Sequence, residues 1–380
     1  MHEKKSPDKL GHKAARLLPL DALRGSLVVL MALDHANHFI AQQHSPGEYW
    51  GGRVPVYHDA LTFLTRLVTH LSAPGFFFLM GVGMVLFANS RRKQGRSRWL
   101  VIRHFLMRGG LLIALQLLIV NRAWELSPGG WSLDVYIGVL FALGGTMILS
   151  SPLLWLKPQV LLVLTAVLVL GTELLTPDPG LWNQAFQPLA RLLLVPGGDP
   201  GLWVNYPVLS WLELVTFGML FGTWLVDNSR KAFERALGLG VACILAFLVL
   251  RYLDGFGNIR SREGNTWIDF LNVVKYPPGI TFNLLTMGVN MVVMGLFARA
   301  GEKPRRFLRP LVVFGQVPLF FYLTHLFLYA GLGLWLTPGG TSISRMYPYW
   351  LLGLLILYPL CLWYGRLKHR QPASSLLRFF

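Results

Sequence analysis

The sequence predicts an all-α polytopic membrane protein of about ten transmembrane helices, with both termini cytoplasmic. Three observations carry that expectation. Of the 380 residues, 53% are hydrophobic and only 14% charged, where soluble domains carry about 25% charged residues. Mean hydropathy is +0.48. The basic surplus, a net charge of +17, is concentrated in alternate connecting segments. A soluble globule, a disordered chain and a disulfide-stapled secreted domain are excluded. Cys243 and Cys361 lie in apolar stretches and offer neither a disulfide framework nor a metal spacing, and no HExxH or CxxC pattern is present. No metal is expected.

A spanning helix needs roughly 20 predominantly apolar residues. Ten stretches qualify: 17–40, 61–90, 104–121, 132–150, 159–175, 205–227, 236–253, 279–298, 310–333 and 347–365. The second is long enough to tilt or to extend past the bilayer. Pro and Gly punctuate the junctions, as in Ser127-Pro128-Gly129-Gly130, Pro177-Asp178-Pro179-Gly180 and Pro277-Pro278-Gly279. The expected organisation is a tail over 1–16, a transmembrane domain over 17–366 and a second tail over 367–380. The first span is too long for a signal peptide and carries Asp21, Arg24, Asp34 and His35 without a small-residue cleavage site. Segment 176–204, rich in Pro, Gly and Trp, reads as a structured cap or re-entrant stretch.

Segments 1–16, 91–103, 151–158, 228–235, 299–309 and 366–380 hold 24 Lys and Arg, against 7 in the opposite loops. The positive-inside rule places the first set in the cytoplasm. The same distribution accounts for the high net charge, so no nucleic-acid partner is expected. Arg91-Arg92-Lys93 reads as a topology anchor that also meets anionic membrane lipids.

Ionisable groups inside a bilayer are costly and mark functional sites. At about 1.5 Å per residue, His35 lies roughly 8 Å, His325 roughly 12 Å and His70 roughly 14 Å from the outer ends of their spans. Glu213, Asn283 and Asn290 fall in or near the same half, and His58 and Asp59 stand at the mouth of the second span. This convergence predicts a polar cavity opening outward. In the cytoplasmic half, Arg24 and Arg108 could hold an anion such as a diphosphate; an Asp21–Arg24 pair at i,i+3 that only fixes the helix is the plainer alternative. A single membrane histidine can equally serve an interhelical hydrogen bond, and His58 alone would read as solvated surface. Asp34 and His35, as helix neighbours, cannot face the same way.

Several stretches carry a resemblance: Leu20-Asp21-Ala22-Leu23-Arg24-Gly25, Met31-Ala32-Leu33-Asp34-His35, Thr65-Arg66-Leu67-Val68-Thr69-His70-Leu71-Ser72-Ala73-Pro74, Phe78-Leu79-Met80-Gly81, Lys275-Tyr276-Pro277-Pro278-Gly279 and Phe314-Gly315-Gln316-Val317-Pro318-Leu319-Phe320-Phe321-Tyr322-Leu323-Thr324-His325. In order and placement they resemble the bacterial relatives of heparan-α-glucosaminide N-acetyltransferase, within the transmembrane acyltransferase superfamily. The resemblance implies a bacterial inner-membrane enzyme. It would pass an acyl group, by expectation acetyl, from cytoplasmic acyl-CoA to a sugar amine or hydroxyl on the outer side, with an envelope glycan or amino sugar as acceptor and membrane lipids and a second copy of the chain as further partners. The extra luminal domain of the lysosomal enzyme has no counterpart, which argues against heparan sulfate as the acceptor. His35 matches the first-span histidine of the superfamily by its spacing from Arg24-Gly25. The lysosomal enzyme carries asparagine there and a catalytic histidine in the following loop, where His58 is the nearest match, slightly offset when Pro74 is aligned. Both bases stay open, with His35 favoured.

The candidate sites are therefore His35, His58 and Asp34 for catalysis, His70, His325, Glu213 and Asn283 for the acceptor, and Arg24, Arg108 and Asp21 for acetyl-CoA or another acyl-CoA. The competing functions are a transporter or flippase of a small solute or lipid-linked sugar and a non-catalytic assembly component.

Overall fold

The computed structural model describes residues 17–45, 47–300 and 305–371. The expected tail 1–16 and most of the second tail, 372–380, lie outside the described residues. Helix α1, Leu18–Ala36, begins with Pro19 in its first turn and runs on through a π-helical turn, Asn37–Ala41, to Gln42 in the left-handed region (φ 58°). Helix α2, Ala60–Thr69, is capped by Asp59, whose side chain accepts from the Thr62 N–H at 2.8 Å. After a break at His70–Leu71 it continues as α3, Ser72–Lys93; Pro74 has no N–H to return to the His70 carbonyl. Helix α4, Arg98–Leu115, passes through a second π turn, Gln116–Val120, into the short α5, Asn121–Trp124. Then follow β1 (Tyr136–Ile137), α6 (Val139–Ser150), α7 (Pro158–Leu175), α8 (Pro188–Leu193), β2 (Gly197–Asp199) and β3 (Leu202–Val204). The three strands form a small sheet in the order β1-β3-β2, β1 parallel and β2 antiparallel to β3. Segment 176–204 is thus a structured cap.

Helix α9, Val208–Leu253, is interrupted at Asn228, which takes extended dihedrals (φ −152°, ψ 100°) while its Oδ1 accepts from the Lys231 N–H at 3.0 Å. Asn228 so acts as an N-cap for the second half. The expected loop 228–235 is therefore largely the first turns of a helix, and the spans expected at 205–227 and 236–253 are one run with a break. The short α10 (Trp267–Leu271) precedes α11 (Ile280–Arg299), α12 (Arg305–Gln316), α13 (Pro318–Leu336) and α14 (Ile343–Arg370). Pro318 disfavours helical dihedrals at Val317, and the span expected from 310 starts at 318 instead. Helix α14 runs past the expected domain limit at 366.

Among the described residues seven helical runs are long and apolar enough to cross a membrane. The expected first span falls outside that set because Asp21, Arg24 and Asp34 lie within 19 residues, and the expected fourth because its apolar helix, Val139–Trp155, is shorter. Around the core, Val163, Val167, Leu170 and Leu174 of α7 and Leu355 of α14 are exposed. An apolar perimeter of this kind suits hydrocarbon.

Helix α1 is central, with Ala22, Leu23, Leu27, Val28 and Ala32 buried against α3, α11, α12 and α13. A Cβ on Gly25 would overlap the Leu311 carbonyl, and one on Gly315 the Asp21 carbonyl. Small residues let the backbones of α1 and α12 touch, as in membrane helix pairs generally. That contact sets Arg24 against α12: its Nη1 donates to the Gly315 carbonyl at 3.2 Å.

Candidate active site

One cavity of about 420 Å³ is lined by α1, α3, α4, α6 and α13. Arg24 and Arg108 line it, as do Asp34, His35, Tyr206 and Lys275. Arg24 and His35 are eleven residues apart on one helix, about 16 Å. The cavity therefore joins the two groups of residues that the sequence places in opposite halves of the bilayer.

His35 is 9% exposed and its Nδ1 lies 2.6 Å from Nε2 of His325, which is fully buried. His325 Nδ1 is 2.9 Å from the Phe321 carbonyl. A carbonyl only accepts, so His325 Nδ1 carries hydrogen and, in the neutral ring, Nε2 is a lone pair. His35 Nδ1 must then donate to it, which leaves His35 Nε2 as the basic nitrogen. The Trp124 indole stands edge-on to both His35 and His38, at 5.4 and 4.9 Å between ring centroids. His325 does not line the cavity; it orients His35.

Asp34 turns away from His35 and pairs with Arg66 of α2, while the Thr69 hydroxyl donates to Oδ1 at 2.9 Å. Arg66 is 2% exposed. Its Nε donates to Glu48 Oε1 at 2.5 Å, its second nitrogen reaches Glu48 Oε2, and its third lies 2.8 Å from His44 Nε2. His70 Nε2 completes the cluster 3.0 Å from Glu48 Oε1. Burial pushes the Glu48 carboxyl up, but the adjoining Arg66 and His70 override it and hold it well below the usual range. The Glu48 carbonyl accepts from the N–H groups of Lys275 and Tyr276, both at 2.9 Å. One guanidinium thus ties α1, α2 and segment 47–58 together. Among the described residues no metal-holding group of His, Cys, Asp and Glu is present.

At the other end, Arg24 donates to Asp21 Oδ1 at 2.9 Å, so the i,i+3 pair forms and presents the guanidinium at the cavity wall. Arg108 has its Nε buried without a partner. With the residue on the cavity wall, its guanidinium suits an anionic ligand.

The remaining expected site residues stand apart. His58 is exposed on the turn before α2 and does not line the cavity. Glu213 and Asn283 bond each other, deep between α9 and α11, also away from it. His70 faces Glu48 and not the cavity. Residues that sequence reasoning passed over are His44, Glu48, Arg66, Tyr206 and Lys275. Arg66, in the middle of an apolar helix, carried a readable signal: with Arg24, Arg108 and Arg251 it is one of four cations that fall in neither set of connecting segments. His44 and Glu48 had none, being polar residues in a connection.

The chain is similar to heparan-alpha-glucosaminide N-acetyltransferase of Mus musculus, 31% identical over 140 residues, which is 37% of this chain and 19% of the relative. To the Homo sapiens protein of the same description it is 30% identical over 145 residues, 38% of this chain and 20% of the relative. The matched stretch thus spans about one fifth of the length of these relatives. Residues 16–250, which include His35, Asp34, Arg66, Arg24 and Arg108, match the family profile described as heparan-alpha-glucosaminide N-acetyltransferase, catalytic, and the chain belongs to that family.

Proposed function

We propose that the protein transfers an acetyl group from acetyl-CoA to the amine of a sugar. The observation that supports it is the single cavity that reaches from Arg24 and Arg108 to His35. The diphosphate of the donor sits at the two arginines. His35 Nε2 takes a proton from the acceptor amine as its nitrogen attacks the thioester carbonyl carbon. The C–N bond forms, the C–S bond breaks, and the thiolate leaves and is protonated as free CoA. Asp34, engaged by Arg66, does not act as the base.

In this reading the protein sits in the inner membrane of a bacterium. The basic segments face the cytoplasm, so the arginine end of the cavity meets cytoplasmic CoA and the histidine end meets the outer side. The ten-segment topology counts α1, α6 and both halves of α9. Cysteines placed at exposed positions of 176–204 should react with a membrane-impermeant maleimide added to intact cells, and one at Asn228 should not; the reverse pattern inverts the orientation.

The central test is chemical. Purified protein given acetyl-CoA and glucosamine should release free CoA with matching N-acetylglucosamine. In the same assay Arg24→Ala should raise the concentration of acetyl-CoA needed for half-maximal rate more than Arg24→Lys does, since the forked contact is lost in both and the charge only in the first. Solute uptake into vesicles without CoA release would put the transporter or flippase reading in its place.

A further inference from the structure

Lys275 is 3% exposed, yet it lines the same cavity as His35 and Asp34. Among the described residues its Nζ forms no hydrogen bond and no ion pair with the protein. The two carboxylates whose charge reaches it, Asp34 and Glu48, are both engaged by Arg66. Its Nζ lies 5.0 Å from the centroid of the Tyr276 ring. The backbone is not free to swing the side chain elsewhere, because the Lys275 N–H is held on the Glu48 carbonyl at 2.9 Å. A buried cation with no bonded partner is expensive; Arg66 bonds both carboxylates but carries one charge against their two, so Lys275 completes the neutrality of the cluster from a distance. Charge balance accounts for a cation in this neighbourhood, but not for one that lines the cavity instead of bonding either carboxylate.

We propose that Lys275 is a catalytic residue, its ammonium placed to receive the negative charge that develops on the thioester carbonyl oxygen. This rests on the acetyl-transfer reading above and adds a second group to it. As the acceptor nitrogen bonds to the carbonyl carbon, the C=O π pair moves onto oxygen. Lys275 stabilises that oxyanion by charge and hydrogen bond, without giving up its proton. The pair returns when the C–S bond breaks and the thiolate departs. A donor fixed in place before the reaction acts with little reorganisation. Arg66 of α2, Asp34 of α1, Glu48 of segment 47–58 and the adjoining Tyr276 are the charged and titratable groups facing it. Burial first, then Arg66, pushes its pKa down to about 8 against the opposing pull of Asp34 and Glu48. The charged form is the active one, so the rate falls as pH rises through that value.

The test uses the full-length protein with acetyl-CoA and glucosamine. Lys275→Met should lower kcat by about 10²–10³-fold while acetyl-CoA binding stays near that of the unaltered protein. Lys275→Arg should keep part of the rate and lose the alkaline decline near pH 8, because a guanidinium stays charged. A Lys275→Met protein with undiminished kcat overturns the inference. So does a variant whose CoA binding and kcat fall together, or an alkaline limb that persists in Lys275→Arg. If the unaltered protein releases no CoA, the acetyl-transfer reading fails and this inference goes with it.

Discussion

His35→Ala should lower acetyl-CoA turnover by about 10²–10⁴-fold, the range of a positioned general base, and leave CoA binding nearly intact. The proton is removed only in the transition state, whereas the donor is held some 16 Å away at Arg24. Such a variant loses kcat and kcat/KM together. The hydrogen-bond chain from the Phe321 carbonyl through His325 to His35 sharpens the expectation. His325→Gln can still present an acceptor to His35 Nδ1 and should retain more rate than His325→Leu, which cannot. His58→Ala is the control: exposed and away from the cavity, it should turn over acetyl-CoA at the native rate. If His58→Ala is dead and His35→Ala active, the loop histidine is the base.

Arg66→Ala should be the most destabilising single change, by about 3–5 kcal/mol. It strands two acids at once, Asp34 at 17% exposure and Glu48 at 1%, the second with no route to water. Arg66→Lys should recover part of this, since one ammonium cannot span both carboxylates as the guanidinium does. The pH dependence separates this account from a simple loss of packing. In the intact protein the folded pKa of Glu48 lies below its usual value of 4.5. Its contribution is therefore fully present above that value and is lost as pH falls through the folded one. Without Arg66, burial acts on Glu48 with less opposition, so the variant should gain stability on mild acidification. Chemical unfolding in detergent from pH 7 to well below pH 4.5 reads both signs. A variant as stable as the parent, with the same pH slope, would mean that the cluster does not brace the site.

Much of the fold was legible because hydropathy reports membrane helices directly. Breaks were less so. Asn228 ends one helix and caps the next within a charged stretch that reads as an ordinary loop, and Val317 interrupts a run whose composition does not change. His35 was singled out because an ionisable group on an apolar helix is conspicuous, and Arg24 and Arg108 for the same reason; all three line the one cavity. Arg66 was equally visible but drew no role, since its partner Glu48 lies 18 residues earlier in a connection. Lys275 sits in a quoted stretch, but that it is buried on the wall of the cavity that His35 also lines depends on how segment 47–58 lies against residues 272–276. Glu213 and Asn283 are polar and deep, yet they meet each other between their helices and not on the cavity wall. Depth along a helix can be counted; direction around it and the course of loops cannot.

The two π turns have a consequence for comparing members of the family. In α1 the turn closes through the Gln42 N–H on the Asn37 carbonyl at 2.8 Å, five residues back. Such a turn holds an extra residue relative to the α-helix. Counting from Gly25 therefore preserves angular phase as far as Ala36. Beyond it, each position is displaced by one step of about 100°. Loss or gain of one residue at 37–41 can be absorbed there, leaving His35 in place while His38, Gln42 and everything toward Glu48 rotate. Spacing is a sound guide to homologous positions up to His35 and loses its phase immediately after it, ahead of the stretch where the slight offset at His58 is found. The second turn, Gln116–Val120, gives α4 the same tolerance just before Trp124, so both walls beside the histidine pair can accept a one-residue change without shifting the pair itself.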